Sequence, residues 1–352
     1  LSNTIQHIAV MRLSAMGDVA MTVPVLQAFA KQYPHIKITV LSRPFFKPFF
    51  DTIPCVAFVA FDENGRHKGV LGLFRLYKDL KALQVDAFAD LHQVLRSKVV
   101  RSLFALSGKK TASLDKGRAE KKALTRAENK IFKPLPTMFQ RHATVFESLG
   151  FPLDLLNPTF PKKATLTQNI VTAIGGTSAV MIGIAPFAQY NSKMYPLDLI
   201  QEVIHQLAPN TDYKILLFGS AKKEAALLDS LLQQHPNVAN VAGKITFTQE
   251  LELISNLNVM LSMDSGNAHI AAMLGVEVIT LWGATHPYAG FMPFNQPITN
   301  ALVSDRTKYP LLPTSVYGNK DVKGYQDAMR TITPDLVVQT ILQKINHSRS
   351  TI

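Results

Sequence analysis

The sequence predicts an α/β protein made of two consecutive doubly wound halves, and three observations carry that expectation. Short apolar runs alternate with amphipathic helical stretches along the whole chain. The alternation is interrupted once, by a proline-containing stretch, and then restarts. The length of 352 residues, at roughly 150 per domain, accommodates two hydrophobic cores.

The elements follow in order. His7 to Ser14 (HIAVMRLS) reads as a buried strand, Val19 to Gln32 as a helix that tolerates Pro24 in its first turn, and Ile36 to Ser42 as a second strand. Strand, helix and strand at this spacing form a βαβ unit, which belongs in a parallel sheet covered on both faces. Phe58 to Phe61 and Ala87 to Asp90 read as further strands. The helix between them, with Leu71, Phe74, Leu76, Tyr77, Leu80 and Leu83, is expected to pack into the core rather than enter a membrane. The stretch Pro152 to Thr167, broken by Pro152, Pro158 and Pro161, is the candidate linker.

After it come strands at Val180 to Ala185, Lys214 to Phe218, Val259 to Met263 and Val278 to Trp282. Helices are expected at Leu197 to Leu207, Lys222 to Gln233, Gln249 to Asn256 and Ala268 to Leu274, with a last one from Pro334 behind Thr333 as N-cap. The domain expectation is 1–165, 166–333 and a C-terminal helix, 334–352, packing back toward the first domain.

Composition narrows the function. Hydrophobic residues make up 47% and charged residues 18%, which is globular composition. Cys55 is the single cysteine, so neither an internal disulfide nor a cysteine zinc cluster can form. No stretch reaches the roughly 18 to 20 uninterrupted apolar residues of a spanning helix, and the N-terminus lacks the plan of a signal peptide, so the cytoplasm is the expected address. The net charge of +12 calls for an acidic partner: nucleic acid, an anionic membrane or a phosphorylated small molecule. Residues 1–175 hold 25 Lys or Arg against 12 Asp or Glu, whereas residues 176–352 hold 12 against 13. The span Arg96 to Arg141, including Lys109, Lys110, Lys121 and Lys122, accounts for +10, yet it lacks the interleaved aromatics of a base-stacking surface.

Ligands in doubly wound sheets bind outside the carboxyl ends of the strands, so functional residues are expected in loops that follow strands, around a cleft between the halves. Three loops pass this filter. In Ser14-Ala15-Met16-Gly17-Asp18, Asp18 either caps the following helix or acts as a general base. In Pro186 to Pro196 (PFAQYNSKMYP), Lys193 is the cation able to neutralise a phosphate, with Gln189, Asn191 and Ser192 as neutral donors. In Asp264-Ser265-Gly266-Asn267-Ala268-His269, Ser265 and Gly266 stand at a helix start suited to an anion. Asp264 there meets a sugar hydroxyl or orients a neighbour, and His269 is a core histidine or a ligand contact. The sequence has no GxGxxG after the first strand, no P-loop and no cluster of metal-ligating spacing, so neither cofactor nor metal is expected.

At these residues the chain resembles the heptosyltransferases, the ADP-heptose:lipopolysaccharide glycosyltransferases of family 9. The resemblance runs from Arg12-Leu13-Ser14-Ala15-Met16-Gly17-Asp18 and Pro24 to the final helix. It is strongest in Asp264 to His269, similar to D-[ST]-G-x-x-H, and in Lys193-Met194-Tyr195-Pro196, similar to K-x-W-P with Tyr195 in place of Trp.

The resemblance implies the GT-B fold and an inverting, metal-independent transfer of heptose from a nucleotide-diphosphate donor to a lipopolysaccharide-type acceptor. It makes Asp18 the base and Lys193 the diphosphate ligand, and Asp264, Ser265, Gly266 and His269 line the donor site with Gln189 and Glu224. Arg12, Ser14, Lys109, Lys110, Lys121 and Lys122 would face the acceptor or an anionic inner membrane surface, to which the enzyme is peripheral. No nucleic acid is expected. Alternatives are a transferase or epimerase of this fold using another nucleotide sugar and, more distantly, a basic nucleic-acid-binding protein.

Overall fold

The computed structural model describes residues 5–232 and 235–350. The chain divides into two compact units, the first formed by Leu1–Gly117 and Pro136–Phe160, the second by Arg118–Leu135 and Pro161–Ile352.

The first unit is built on five parallel strands: β1 (His7–Met11), β2 (Lys37–Ser42), β3 (Val56–Ala60), β4 (Ala87–Asp90) and β5 (Lys110–Ser113), in the order β3-β2-β1-β4-β5. Strands β1 and β4 are buried along their whole length, as continuous apolar runs in a sheet covered on both faces must be. The stretch expected as one helix is divided into α1 (Met16–Ala20) and α2 (Val23–Gln32). Pro24 is the physical reason: it has no N–H to donate back to Ala20, so the helix restarts at Thr22, whose hydroxyl turns to the Val19 carbonyl at 2.7 Å.

Helices α3 (Gly69–Ala82) and α4 (Leu95–Leu106) pack together, and Leu73, Leu76 and Leu80 join Phe88 and Phe104 in the core. Core packing therefore accounts for only part of the apolar face of α3, because Leu71, Phe74 and Leu83 are exposed. Past α5 (Arg118–Thr125), which belongs to the second unit, α6 (Met138–Leu149) returns to the first and places Phe146 against Phe29.

The second unit repeats the plan with six parallel strands: β6 (Val180–Ala185), β7 (Tyr213–Leu217), β8 (Val238–Asn240), β9 (Val259–Met263), β10 (Glu277–Trp282) and β11 (Ala301–Val303). Their order, β11-β10-β9-β6-β7-β8, has the same winding as the first sheet, with β6 in the place of β1 and β9 in the place of β4. The helices are α7 (Gln168–Ile174), α8 (Leu197–Leu207), α9 (Ala225–Ser230), α10 (Phe247–Ile254), α11 (Gly266–Met273) and α12 (Pro334–Ser350). The expected helix at Lys222 to Gln233 is shorter, and its last residue lies outside the described residues.

Two further expectations change. The final helix does not belong with the first domain: Val337, Ile341 and Ile345 of α12 are buried in the second unit's core, and the helix packs on α8, β9 and β10. The linker is short and ordered. Gln32 and Asp154 exchange hydrogen bonds of 2.8 and 3.0 Å in the first unit, Asn256 holds the Ala164 carbonyl at 2.8 Å in the second, and the chain crosses between Phe160 and Pro161. No described helix is long and apolar enough to cross a membrane.

Candidate active site

In a doubly wound sheet the winding reverses between the first and fourth strands, and the loops leaving their carboxyl ends diverge to leave a crevice. That point lies between β1 and β4 in the first unit and between β6 and β9 in the second. Both carry paired charges.

In the first unit the buried Arg12 follows β1 directly. Its guanidinium donates to the Leu91 carbonyl, beyond β4, at 2.7 Å and meets Asp18 Oδ2 at 2.5 Å. Asp18 is half-buried at the third position of α1 and accepts the Ala15 N–H at 3.2 Å. The carboxylate thus caps and faces the switch point together. Ser14 is half-buried just ahead of this turn.

His92, two residues past β4, is a member of this cluster that the sequence reading missed. It is buried, and desolvation together with the nearby Arg12 pushes its imidazole down to about 3. Its loop does follow a strand, but Leu91-His92-Gln93 has no glycine, hydroxyl or charged pattern to mark it. Asp90 Oδ1 shapes that loop by accepting the N–H groups of His92 and Gln93 at 3.0 and 2.7 Å.

In the second unit Lys193, in the loop after β6, pairs with Asp264, at the end of β9, at 3.0 Å. Both side chains are largely buried, 13% and 8% exposed. The ion pair fixes the two side chains against each other. The lysine stem lies on Gly318: a Cβ there would come 2.3 Å from Lys193 Cδ, at a φ of +84° that only glycine adopts readily. Ser192 holds the same segment, its hydroxyl donating to the Gly318 carbonyl at 2.6 Å.

Ser265 is the N-cap residue of α11, yet its hydroxyl bonds Ser262 at 3.1 Å and makes no side-chain cap. The first turn of α11 is therefore not capped by its own serine, and Gly266 begins it without a side chain in the way. His269 is buried one turn further along.

Glu224, ahead of α9, accepts the Ser220 N–H at 2.6 Å and lines a pocket of about 390 Å³ with Phe187, Asn191 and Met194. Gln189 is exposed on the same loop. Tyr195 is a structural residue, fully buried, with its hydroxyl donating to the Ile332 carbonyl at 2.6 Å. Among the described residues no three His, Cys, Asp or Glu side chains converge to hold a metal ion.

Of the basic residues expected to face an acceptor, Arg12 stands beside Asp18, whereas the four lysines are not gathered here. Lys110 opens β5 opposite Ala87, so with Lys109 it stands at the amino end of the sheet, away from Asp18. The two line a pocket of about 480 Å³ with His35 and Asp86, and Lys109 pairs with Asp86 at 3.4 Å. Lys121 is buried in the second unit over the Phe291 ring at 4.2 Å and cannot face a membrane, although Lys122 beside it is exposed.

Residues 73–317, more than two thirds of the chain, match the model of glycosyltransferase family 9 (heptosyltransferase). The chain belongs to that family. It is a glycosyltransferase with the GT-B fold, each Rossmann-like unit contributing one of the charge pairs described above.

The lipooligosaccharide heptosyltransferase 2 of Haemophilus influenzae is 26% identical over 95% of this chain and 98% of its own. The lipopolysaccharide core heptosyltransferase OpsX of the same species is 25% identical over 80% of each. Among solved structures, the ADP-heptose lipopolysaccharide heptosyltransferase II of Escherichia coli superposes with a TM-score of 0.71 at 20% identity, over 97% of this chain and 99% of that one.

Proposed function

We propose that this family 9 enzyme transfers heptose from ADP-heptose to a phosphorylated lipopolysaccharide-core acceptor, with inversion and without a metal ion. The observation that carries the reading is that each sheet holds its charge pair at its own topological switch point, an acid in the first unit and a lysine in the second. The relatives' names support the sugar and the acceptor, and the likeness to an Escherichia coli heptosyltransferase solved with ADP supports the nucleotide.

In this mechanism the acceptor hydroxyl attacks the anomeric carbon, the hydroxyl proton passes to Asp18, and ADP leaves from the opposite face. Arg12 fixes the direction of the carboxylate by holding Oδ2, while Leu91 anchors the guanidinium from behind. Lys193 neutralises charge on the departing diphosphate as a point cation, and the N–H groups opening α11 receive phosphate oxygen. Those groups supply the positive charge that a divalent ion supplies in other transferases. Glu224 and the pocket beside it suit the nucleoside, since a carboxylate accepts hydrogen bonds from ribose hydroxyls.

A nucleotide panel followed by thermal shift tests the reading. ADP at about 100 times its dissociation constant adds about 2.7 kcal/mol of stability, whereas UDP and GDP should add little. Release of ADP from ADP-heptose in the presence of acceptor, unaltered by a chelator, completes the test. A protein that responds to no nucleoside diphosphate would refute it.

A further inference from the structure

The loops at the carboxyl end of the first sheet carry exposed apolar side chains that no core explains. Phe45, just after β2, is 54% exposed; Val70, Leu71 and Phe74, opening α3, are 66%, 73% and 44% exposed; Leu95, opening α4, is 78% exposed. Val70 and Leu71 lie four and three residues before Phe74 on the helix, so the three make one contiguous patch. Leu83 and Leu106, at the other ends of the two helices, are exposed singly, and single surface apolar residues are ordinary.

Glu63 gathers these loops. Lying after β3, it meets Arg43, which follows β2, and Arg96, in the first turn of α4, each at 2.8 Å. The turn holding Phe45 also packs on α1, the helix that carries Asp18. One end of the unit therefore presents both the apolar side chains and the carboxylate at the switch point.

The surrounding charge selects the occupant. Lys68, Arg75, Lys78 and Lys98 are all exposed, and Arg75 and Lys78 continue the helical row of Leu71 and Phe74. Asp62 is exposed among them, while Glu63 and Asp79 are paired with arginines, so the excess charge is positive. Apolar side chains projecting from successive loops beside these cations fit the boundary of an anionic bilayer, where acyl chains receive the former and phosphates the latter. We propose that this rim, formed by the loops after β2, β3 and β4, docks the enzyme on an anionic lipid bilayer. The proposal rests on the glycolipid acceptor for its purpose: docking there brings the switch point of the first unit to the surface from which such an acceptor projects.

Co-sedimentation of the full chain with phosphatidylcholine vesicles, with and without phosphatidylglycerol, tests it. The wild type should bind the anionic vesicles in a salt-sensitive way. The Leu71→Ser/Phe74→Ser and Arg75→Glu/Lys78→Glu variants should each bind about tenfold or more weakly, and Lys109→Glu/Lys110→Glu should bind as the wild type does. All should melt like the wild type and keep its ADP response. With a deacylated, water-soluble acceptor the rim variants should turn over normally, which separates docking from chemistry: loss of the ADP response in the wild type defeats the proposed function, not the docking. Equal vesicle binding by the Leu71→Ser/Phe74→Ser variant overturns the docking proposal. So does a wild type that ignores anionic vesicles but dimerises through the patch in sedimentation velocity.

Discussion

Asp18 binds the start of α1 and an arginine with the same carboxylate, so replacing it removes two supports as well as a base. Asp18→Asn keeps an acceptor for the Ala15 N–H and is the cleaner variant. It should reduce turnover by about 10² to 10⁴-fold while leaving ADP affinity nearly unchanged. Turnover above about a tenth of wild type would remove the base assignment. Lys193 and Asp264 behave differently because both are largely buried. Breaking such a pair from one side strands a charge and costs about 3 to 5 kcal/mol. Lys193→Met should therefore lower both stability and ADP affinity, while Lys193→Met/Asp264→Leu should regain stability without regaining affinity. Denaturant melts and ADP titrations on the two variants separate the effects; recovery of ADP binding by the double variant would show that Lys193 does not meet the diphosphate.

Among the elements, the apolar strands were legible and three of the four edge strands were not. The ranges Ala87 to Asp90, Val180 to Ala185 and Val259 to Met263 follow from their apolar runs, and these strands flank the switch points. Strands β8 and β11 escaped notice because three residues are too few for a periodic signal, and β5, as long as β4, because Lys110-Thr111-Ala112-Ser113 has no apolar run. All three pair on one side only or close an end of a sheet, and short edge strands resist pairing with other chains. The sequence reading starts α10 at Gln249 and misses its cap. Thr246 accepts the Gln249 N–H at 3.3 Å, and Gln249 reaches back to the Thr246 N–H at 3.0 Å, a reciprocal cap on α10. Thr246→Ala should cost about 1 kcal/mol, a fall in Tm of about 2 to 4 °C by calorimetry. A melt unchanged by this substitution would show that α10 does not depend on its cap.

At the scale of the whole molecule, charge is the property most altered by folding. Divided by sequence halves, it reads +13 and −1, but residues 118–135 belong to the second unit. The first unit then has 17 Lys or Arg against 10 Asp or Glu, and the second 20 against 15, so both are basic, by +7 and +5. Acid sensitivity should likewise be shared. His92 in the first unit is pushed down to about 3, and His286 in the second to about 4, in both cases chiefly by burial and then by nearby cations. Each is neutral when folded and protonates near 6.5 when unfolded. Between about pH 4 and 6.5 the unfolded chain thus binds more protons, so stability rises with pH there and is lost on acidification, by up to about 1.4 kcal/mol per pH unit for each histidine. Urea melts from pH 4.5 to 7.5 should show that slope, and His92→Gln/His286→Asn should flatten it. An undiminished slope in the double variant would place the acid response elsewhere.

The sequence by itself determined the parallel α/β class, the repeat of one winding and the loops holding Asp18, Lys193 and Asp264. Those features follow from local apolar runs and the residues that directly succeed them. Tertiary structure decided what depends on distant partners: the Arg12 bridge from β1 to Leu91, the burial of His92, the Lys193 stem against Gly318, and the division of the basic stretch between units. It also decided which leucines of α3 reach the core and which face outward. Helical periodicity fixes a face, but only a packed neighbour turns that face into a core.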